Sequence, residues 1–330
     1  MTLELSAALP NARGPVSDTV LAAFAGPADA PLSAAGVADA DPLGDDVQLA
    51  LHLCYELHYR GLAGVPEDRE WDASLLAWRA VLEARFLDAL RAAVPGGDDV
   101  EQEFTGLLSE PVDGTGVSHF LRDEGQWWQL REMFAHRSIY HLKEADPHAW
   151  VIPRLHGRAK AALVAVEFDE FGGGRAERVH AQLFADLLRA AGLPADYLAL
   201  LDRVPAPMLA IVNMMSLFGL HRRLRGALVG HFAAAEITTA PSAQRLDQAL
   251  ERLGGPAECR FFYTEHVEAD AVHEQVMRTD VVGGLLSEEP ELAADVVFGI
   301  QATGYLEGRL EEHLLGAWRS GKTSLRQSLD

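Results

Sequence analysis

From Asp45 onward, apolar residues return every third or fourth position, and nowhere does the chain settle into the every-second-residue alternation of a half-buried strand. A chain patterned this way buries its apolar stripes by packing helix on helix, so the expected fold class is all-α. DDVQLALHLCYELHYRGL opens on acids that suit a helix N-terminus and runs out near Gly61. WDASLLAWRAVLEARFLDALRAA follows, with Asp72 placed as its cap and PGG as its stop. SHFLRDEGQWWQLREMFAHRSIYHLKEAD is a third long run, closed by Pro147. RLHGRAKAALVAVEFDEFGGGRAERVHAQLFADLLRAAG is helical on both sides of three glycines, and APMLAIVNMMSLFGLHRRLRGALVGHFAAAE is long and strongly apolar. RLDQALERLG, CRFFYTEHVEADAVHEQVMRT and the stretch from Pro290 to His313 complete the set. Residues 1–45, rich in Ala, Pro, Gly and Asp, read as a loosely ordered arm with one short helix near SDTVLAAFAG. Residues 46–115 read as N-terminal helices packing on a bundle at 116–330, with linker signals in PGGDDVEQEFTGLLSEPVDGTG.

The charge balance narrows the partners. Lys and Arg number 28 against 49 Asp and Glu, a net charge of −21. Phosphate-backbone binding needs clustered cations, as does docking on anionic lipid, so neither nucleic acid nor a membrane surface is an expected partner. A local Arg can still hold a small anionic substrate. No apolar run approaches the roughly 20 residues of a membrane span, and the start MTLELSAALPNARG lacks signal-peptide features. Cys54 and Cys259 are too few for a disulfide framework or a thiolate zinc site. The expected compartment is the cytoplasm.

Two segments carry metal-ligand chemistry. In EHVEADAVHEQ, His266, Asp270 and His273 stand at i, i+4 and i+7, within roughly 60° of one another on a helix face. Two imidazoles and a carboxylate on one face suit iron or manganese; the bland alternative is a solvated polar stripe flanked by Glu268 and Glu274. In EFDEFGGGRAERVHAQLF, Glu177 and His180 form the Glu-x-x-His step that places two ligands inward in helical carboxylate metal sites. Glu170 lies seven residues before Glu177, so an unbroken helix puts both on one face. Gly172, Gly173 and Gly174 each cost about 1 kcal/mol inside a helix, and mark either an interhelix turn or a ligand-bearing helix that orders when metal arrives. Glu144 closes the helix that carries His136 and Tyr140, and Glu236 is a carboxylate in an otherwise apolar stretch.

The ordered series Glu144, Glu170, Glu177, His180, Glu236, His266, Asp270, His273 resembles the heme-oxygenase-like di-iron oxidases and oxygenases, in their actinobacterial iron-containing redox enzyme branch, from about Leu130 to Leu315. That resemblance implies a heme-oxygenase-like helical bundle, here with additional N-terminal helices, holding no heme and two labile irons, with manganese as the other metal such ligands accept. Carried across, one iron takes Glu144, His180 and His273 with Glu177 nearby; the other takes Glu170, His266 and Asp270, with Glu236 as a further candidate. Four carboxylates and neutral histidines balance two divalent irons. Glu167 and Asp169 crowd Glu170, so the second-helix carboxylate is open to a three-residue shift.

The implied reaction is oxygen-dependent oxidation of a small organic substrate of amine, amino acid or fatty acid type, by N-oxygenation or oxidative C–C cleavage, with an external electron donor as a further partner. Met208, Met214, Met215 and Phe218 are candidate pocket walls or plain core; Asn213, His221 and Arg222 are the polar residues of the same segment. A thiaminase-like hydrolase of this fold needs a cysteine nucleophile: Cys54 falls outside the bundle, whereas Cys259 sits at a helix start, which can lower a thiol pKa. A non-catalytic iron-binding or iron-sensing protein uses the same ligands. Helical bundles of this kind often form homodimers, and the arm at 1–45 is placed to wrap a partner.

Overall fold

The computed structural model describes residues 7–27, 32–33, 36–109 and 114–329, the side chains of 268–271 excepted. Among the described residues no strand forms; a single isolated bridge joins Ala7 and Leu62. The helices are α1 (Pro15–Ala25), α2 (Asp45–Glu56), α3 (Ala73–Ala93), α4 (Val100–Leu108), α5 (Val117–Asp123), α6 (Trp127–His141) and α7 (Asp146–Ala149). Then come α8 (Gly157–Glu170), α9 (His180–Ala190), α10 (Ala206–Leu220), α11 (Arg225–Leu253), α12 (Ala257–Val276), α13 (Gly283–Glu288) and α14 (Ala293–Arg319). A π-helical turn, Met277–Val282, joins α12 to α13.

Local chemistry sets the boundaries. Asp72 caps α3 as expected, its carboxylate accepting from the amides of Ser74 at 2.9 Å and Leu75 at 3.1 Å. The run 118–146 is interrupted near Gly125, where a Cβ would lie 2.7 Å from the Leu121 Cα, so it divides into α5 and α6. The apolar run from Ala206 likewise divides at a 3₁₀ turn, Arg222–Leu224. In the opposite sense, RLDQALERLG is no separate helix: α11 continues through Pro241 to Leu253.

α11 is the central element, packed along both α12 and α14. Its approach to α14 is backbone to backbone: a Cβ at Gly230 would sit 2.1 Å from the Val296 carbonyl oxygen, and one at Gly299 would sit 2.0 Å from that of Ala227. α9 packs on α12, and α8 on the π-helical turn, so α8, α9, α11 and α12 surround one region of the interior.

The N-terminal part belongs to the same hydrophobic core. The expected loose arm contains α1, which buries Val16, Val20 and Phe24 against α2. α2 packs in turn on α10 with nearly every residue buried, including Cys54, which was expected to fall outside the bundle. The sequence placed α2 among helices packing on the bundle; burial on all its sides makes it a core helix.

Candidate metal centre

Five elements deliver the candidate ligands. α6 ends at His141, so Glu144 stands in the turn before α7 rather than on the helix. Glu170 is the last residue of α8 and His180 the first of α9. Between them the glycines adopt φ values of 77°, 60° and 80°, a left-handed run that ends the helix. Glu236 lies mid-way along α11, and α12 carries His266 and His273.

These six side chains are buried and form two groups, each with its ligand atoms within 4.8 Å of one another: Glu144, His180 and His266; Glu170, Glu236 and His273. The groups adjoin. His180 Nδ1 is 2.8 Å from Glu170 Oε2, and the rings of His180 and His266 lie 4.5 Å apart. His273 Nδ1 lies 3.0 Å from Glu236 Oε2 and 3.8 Å from Glu170 Oε1.

The structure groups the two histidines differently from the expected assignment. His266 and His273 had been assigned to the second and first metals; the structure sets His266 with Glu144 and His180, and His273 with Glu170 and Glu236. Seven residues of helix separate two histidines by about 10.5 Å along the axis, so each must serve a different group. Periodicity fixes their common face but not the direction in which α12 runs past α8 and α9. Glu236 lies in the group with Glu170 and His273. The side chain of Asp270 lies outside the described residues. Glu177 is exposed on a 3₁₀ turn, Ala176–Arg178, and is a member of neither group. Its expected place beside Glu170 required an unbroken helix, which the glycines interrupt.

Several details fit a cation at each group. Phe262 offers only a carbonyl to His266 Nδ1, at 2.7 Å, so in the neutral ring Nδ1 carries the proton and Nε2 keeps its lone pair. That Nε2 faces Glu144 Oε1 at 3.4 Å, ligand atom toward ligand atom. Burial alone would raise the Glu144 pKa, but His141, at 2.8 Å from Oε1, and His266 hold it well below the usual carboxylate range. Burial lowers the His180 pKa, and the Glu170 carboxylate more than reverses this. Glu167, one turn before Glu170, has neither oxygen hydrogen-bonded, and Glu144 Oε2 also lacks a partner. Burial, with Glu170 and Glu236 adding repulsion, pushes Glu167 up to about 9. Buried carboxylates crowded and unpartnered in this way are what a bound divalent ion would relieve.

A cavity of about 530 Å³ opens onto both groups, reaching Glu144 and His266 of one and Glu170 and Glu236 of the other. Met215, Phe232 and Phe262 supply apolar wall. Met208, Met214 and Phe218 are core instead. Arg137 and Arg245, missed in the sequence, supply the guanidinium groups: Arg137 is held by Glu307 at 2.8 and 2.7 Å, and Arg245 donates to Ser118 Oγ at 2.9 Å. Asn213 and His221 are engaged elsewhere, with Gln48 and Glu83, and Arg222 is exposed. Nothing in local periodicity distinguishes Arg137 or Arg245 from a solvated face. Burial raises the thiols of both Cys54 and Cys259 to about 12, and the helix start at Cys259 does not offset it.

The sequence pattern of the family described as iron-containing redox enzymes matches residues 131–308, more than half of the chain and the span that holds both groups. The chain belongs to this family. Iron-containing redox enzymes of heme-oxygenase-like, all-α fold are thus its kin, and the ligand groups lie where that family matches it. The chain is also similar to a nitrosourea synthase of Streptomyces achromogenes subsp. streptozoticus, 24% identical over 161 residues. The match takes in 48% of this chain and 34% of that protein, so it spans about a third of the relative's length. Among the described residues no helix is long and apolar enough to cross a membrane.

Proposed function

We propose that the protein is an oxygen-dependent, non-heme di-iron oxidase or oxygenase acting on a small organic substrate by N-oxygenation or oxidative C–C cleavage. The observation that carries this reading is the pair of buried carboxylate–histidine groups side by side at the wall of one cavity. Glu144, His180 and His266 would hold one iron; Glu170, Glu236 and His273 would hold the other, with Asp270 and Glu177 retained as candidate ligands from the sequence. Two ferrous ions bound there would supply the electrons for dioxygen activation.

The chain's own residues account for positioning. His141, hydrogen-bonded to Glu144, aims that carboxylate. Phe262 fixes the tautomer of His266 through its carbonyl. Met215, Phe232 and Phe262 would face the apolar part of a substrate, and Arg245 places a guanidinium in the same cavity for a substrate carboxylate. The similarity to a nitrosourea synthase favours oxidation at nitrogen, and so an amine or amino acid ahead of a fatty acid.

The test is an anaerobic titration of metal-free protein with ferrous iron, followed by oxygen exposure with the visible spectrum recorded and oxygen uptake measured across amines, amino acids and fatty acids. Two irons per chain and substrate-stimulated uptake support the reading. Iron held without uptake indicates an iron-binding protein, and no binding above background sinks the assignment of ligands.

A further inference from the structure

The turn that carries Glu144 is strained and short: α6 stops at His141, α7 starts at Asp146, and Ala145 has φ 73°, a conformation costly for any residue with a Cβ. Such a turn persists only where its surroundings hold it. Here the hold comes from both residues before Glu144. Lys143 is fully buried, and its ammonium pairs with Glu56 at the end of α2. The other Glu56 oxygen accepts from the Tyr197 hydroxyl at 2.6 Å, and His52 Nε2 lies 3.4 Å from Oε1. The Lys143 Nζ also sits 4.1 Å from the centroid of the Tyr59 ring. The Leu142 carbonyl accepts from Arg60 at 2.7 Å, and Arg60 in turn stacks on Tyr197.

Glu56, Tyr59 and Arg60 all lie before residue 131, outside the stretch that matches the family. From this we infer that the buried Glu56–Lys143 pair is a positioning device for the metal centre: the N-terminal helices set the Glu144 carboxylate in place rather than merely covering the bundle. The inference rests on the di-iron reading for its consequence, but the tether itself exists without metal. Its effect is local to the group formed by Glu144, His180 and His266. The group of Glu170, Glu236 and His273 is carried by α8, α11 and α12, none of which includes the turn.

The double variant Glu56→Gln with Lys143→Met tests this, because it removes the tether without stranding a buried charge. Anaerobic equilibrium dialysis with ferrous iron reads the sites separately. The expected result is one iron bound with the wild-type affinity and the other weakened at least tenfold. Hydrogen exchange on the metal-free variant supplies a second readout, with faster exchange expected at residues 142–146 and none of that change in α12. Two irons at wild-type affinity, or weakening of both together, overturns the proposal, as does unchanged exchange in the turn. Wild-type protein that binds no iron instead overturns the di-iron reading, while the exchange result still decides whether the tether holds the turn.

Discussion

Replacing Glu167 by Gln should make the metal-free protein more stable, by an amount that grows with pH. In the folded chain this carboxyl titrates at about 9 rather than 4.5, because it is buried without a hydrogen bond beside Glu170 and Glu236. Between those two pH values the unfolded chain has released the proton and the folded chain still holds it. Stability therefore falls as pH rises through that window, by about 1.4 kcal/mol per unit. At pH 7 the accumulated cost is about 3 kcal/mol, and Gln, which cannot ionise, does not bear it. With an unfolding entropy of about 2.1 cal/mol/K per residue, a 330-residue chain converts that into a rise of about 5 °C in melting temperature. The assay is thermal and urea unfolding of chelator-treated wild type and variant from pH 4.5 to 8. The difference should be small at pH 4.5 and widen steadily toward pH 8. A difference that stays flat with pH, or that narrows, would refute the picture of an uncompensated buried carboxyl beside the candidate ligands.

Other outcomes follow from the same geometry. His266→Ala should cut ferrous iron binding from two equivalents to one while leaving the helical circular dichroism intact. Gly299→Ala should destabilise the protein by about 1–3 kcal/mol through overpacking of α11 against α14, since its Cβ would sit 2.0 Å from a carbonyl oxygen; iron stoichiometry should not change. Cys54 and Cys259, with thiols raised to about 12, should resist a disulfide reagent at pH 8 in the native protein and react fully once it is unfolded.

The sequence disclosed the helices wherever an apolar stripe had one wet face, as in α3 with its Asp72 cap. It disclosed poorly those elements whose ends depend on distant packing, such as α11 running on through Pro241. At the site, His266 and His273 were legible as neighbours on a helix face, because helical spacing is a local property. Which group each joins depends on the direction of α12 against α8 and α9, and no local pattern carries that. Glu177 differs: its spacing from Glu170 suits a continuous helix, and three left-handed glycines break that continuity. The Glu56–Lys143 pair was invisible for a simpler reason. Its partners are 87 residues apart, and each looks like an ordinary surface charge until the fold buries both.

The central claim is that each group of buried ligands holds one iron, and diffraction data at the iron absorption edge, from crystals loaded anaerobically with ferrous iron, test it most directly. The account predicts two anomalous peaks per chain, one bounded by Glu144, His180 and His266 and the other by Glu170, Glu236 and His273. Iron bound elsewhere in the chain, or no peak at either group under saturating iron, would contradict it.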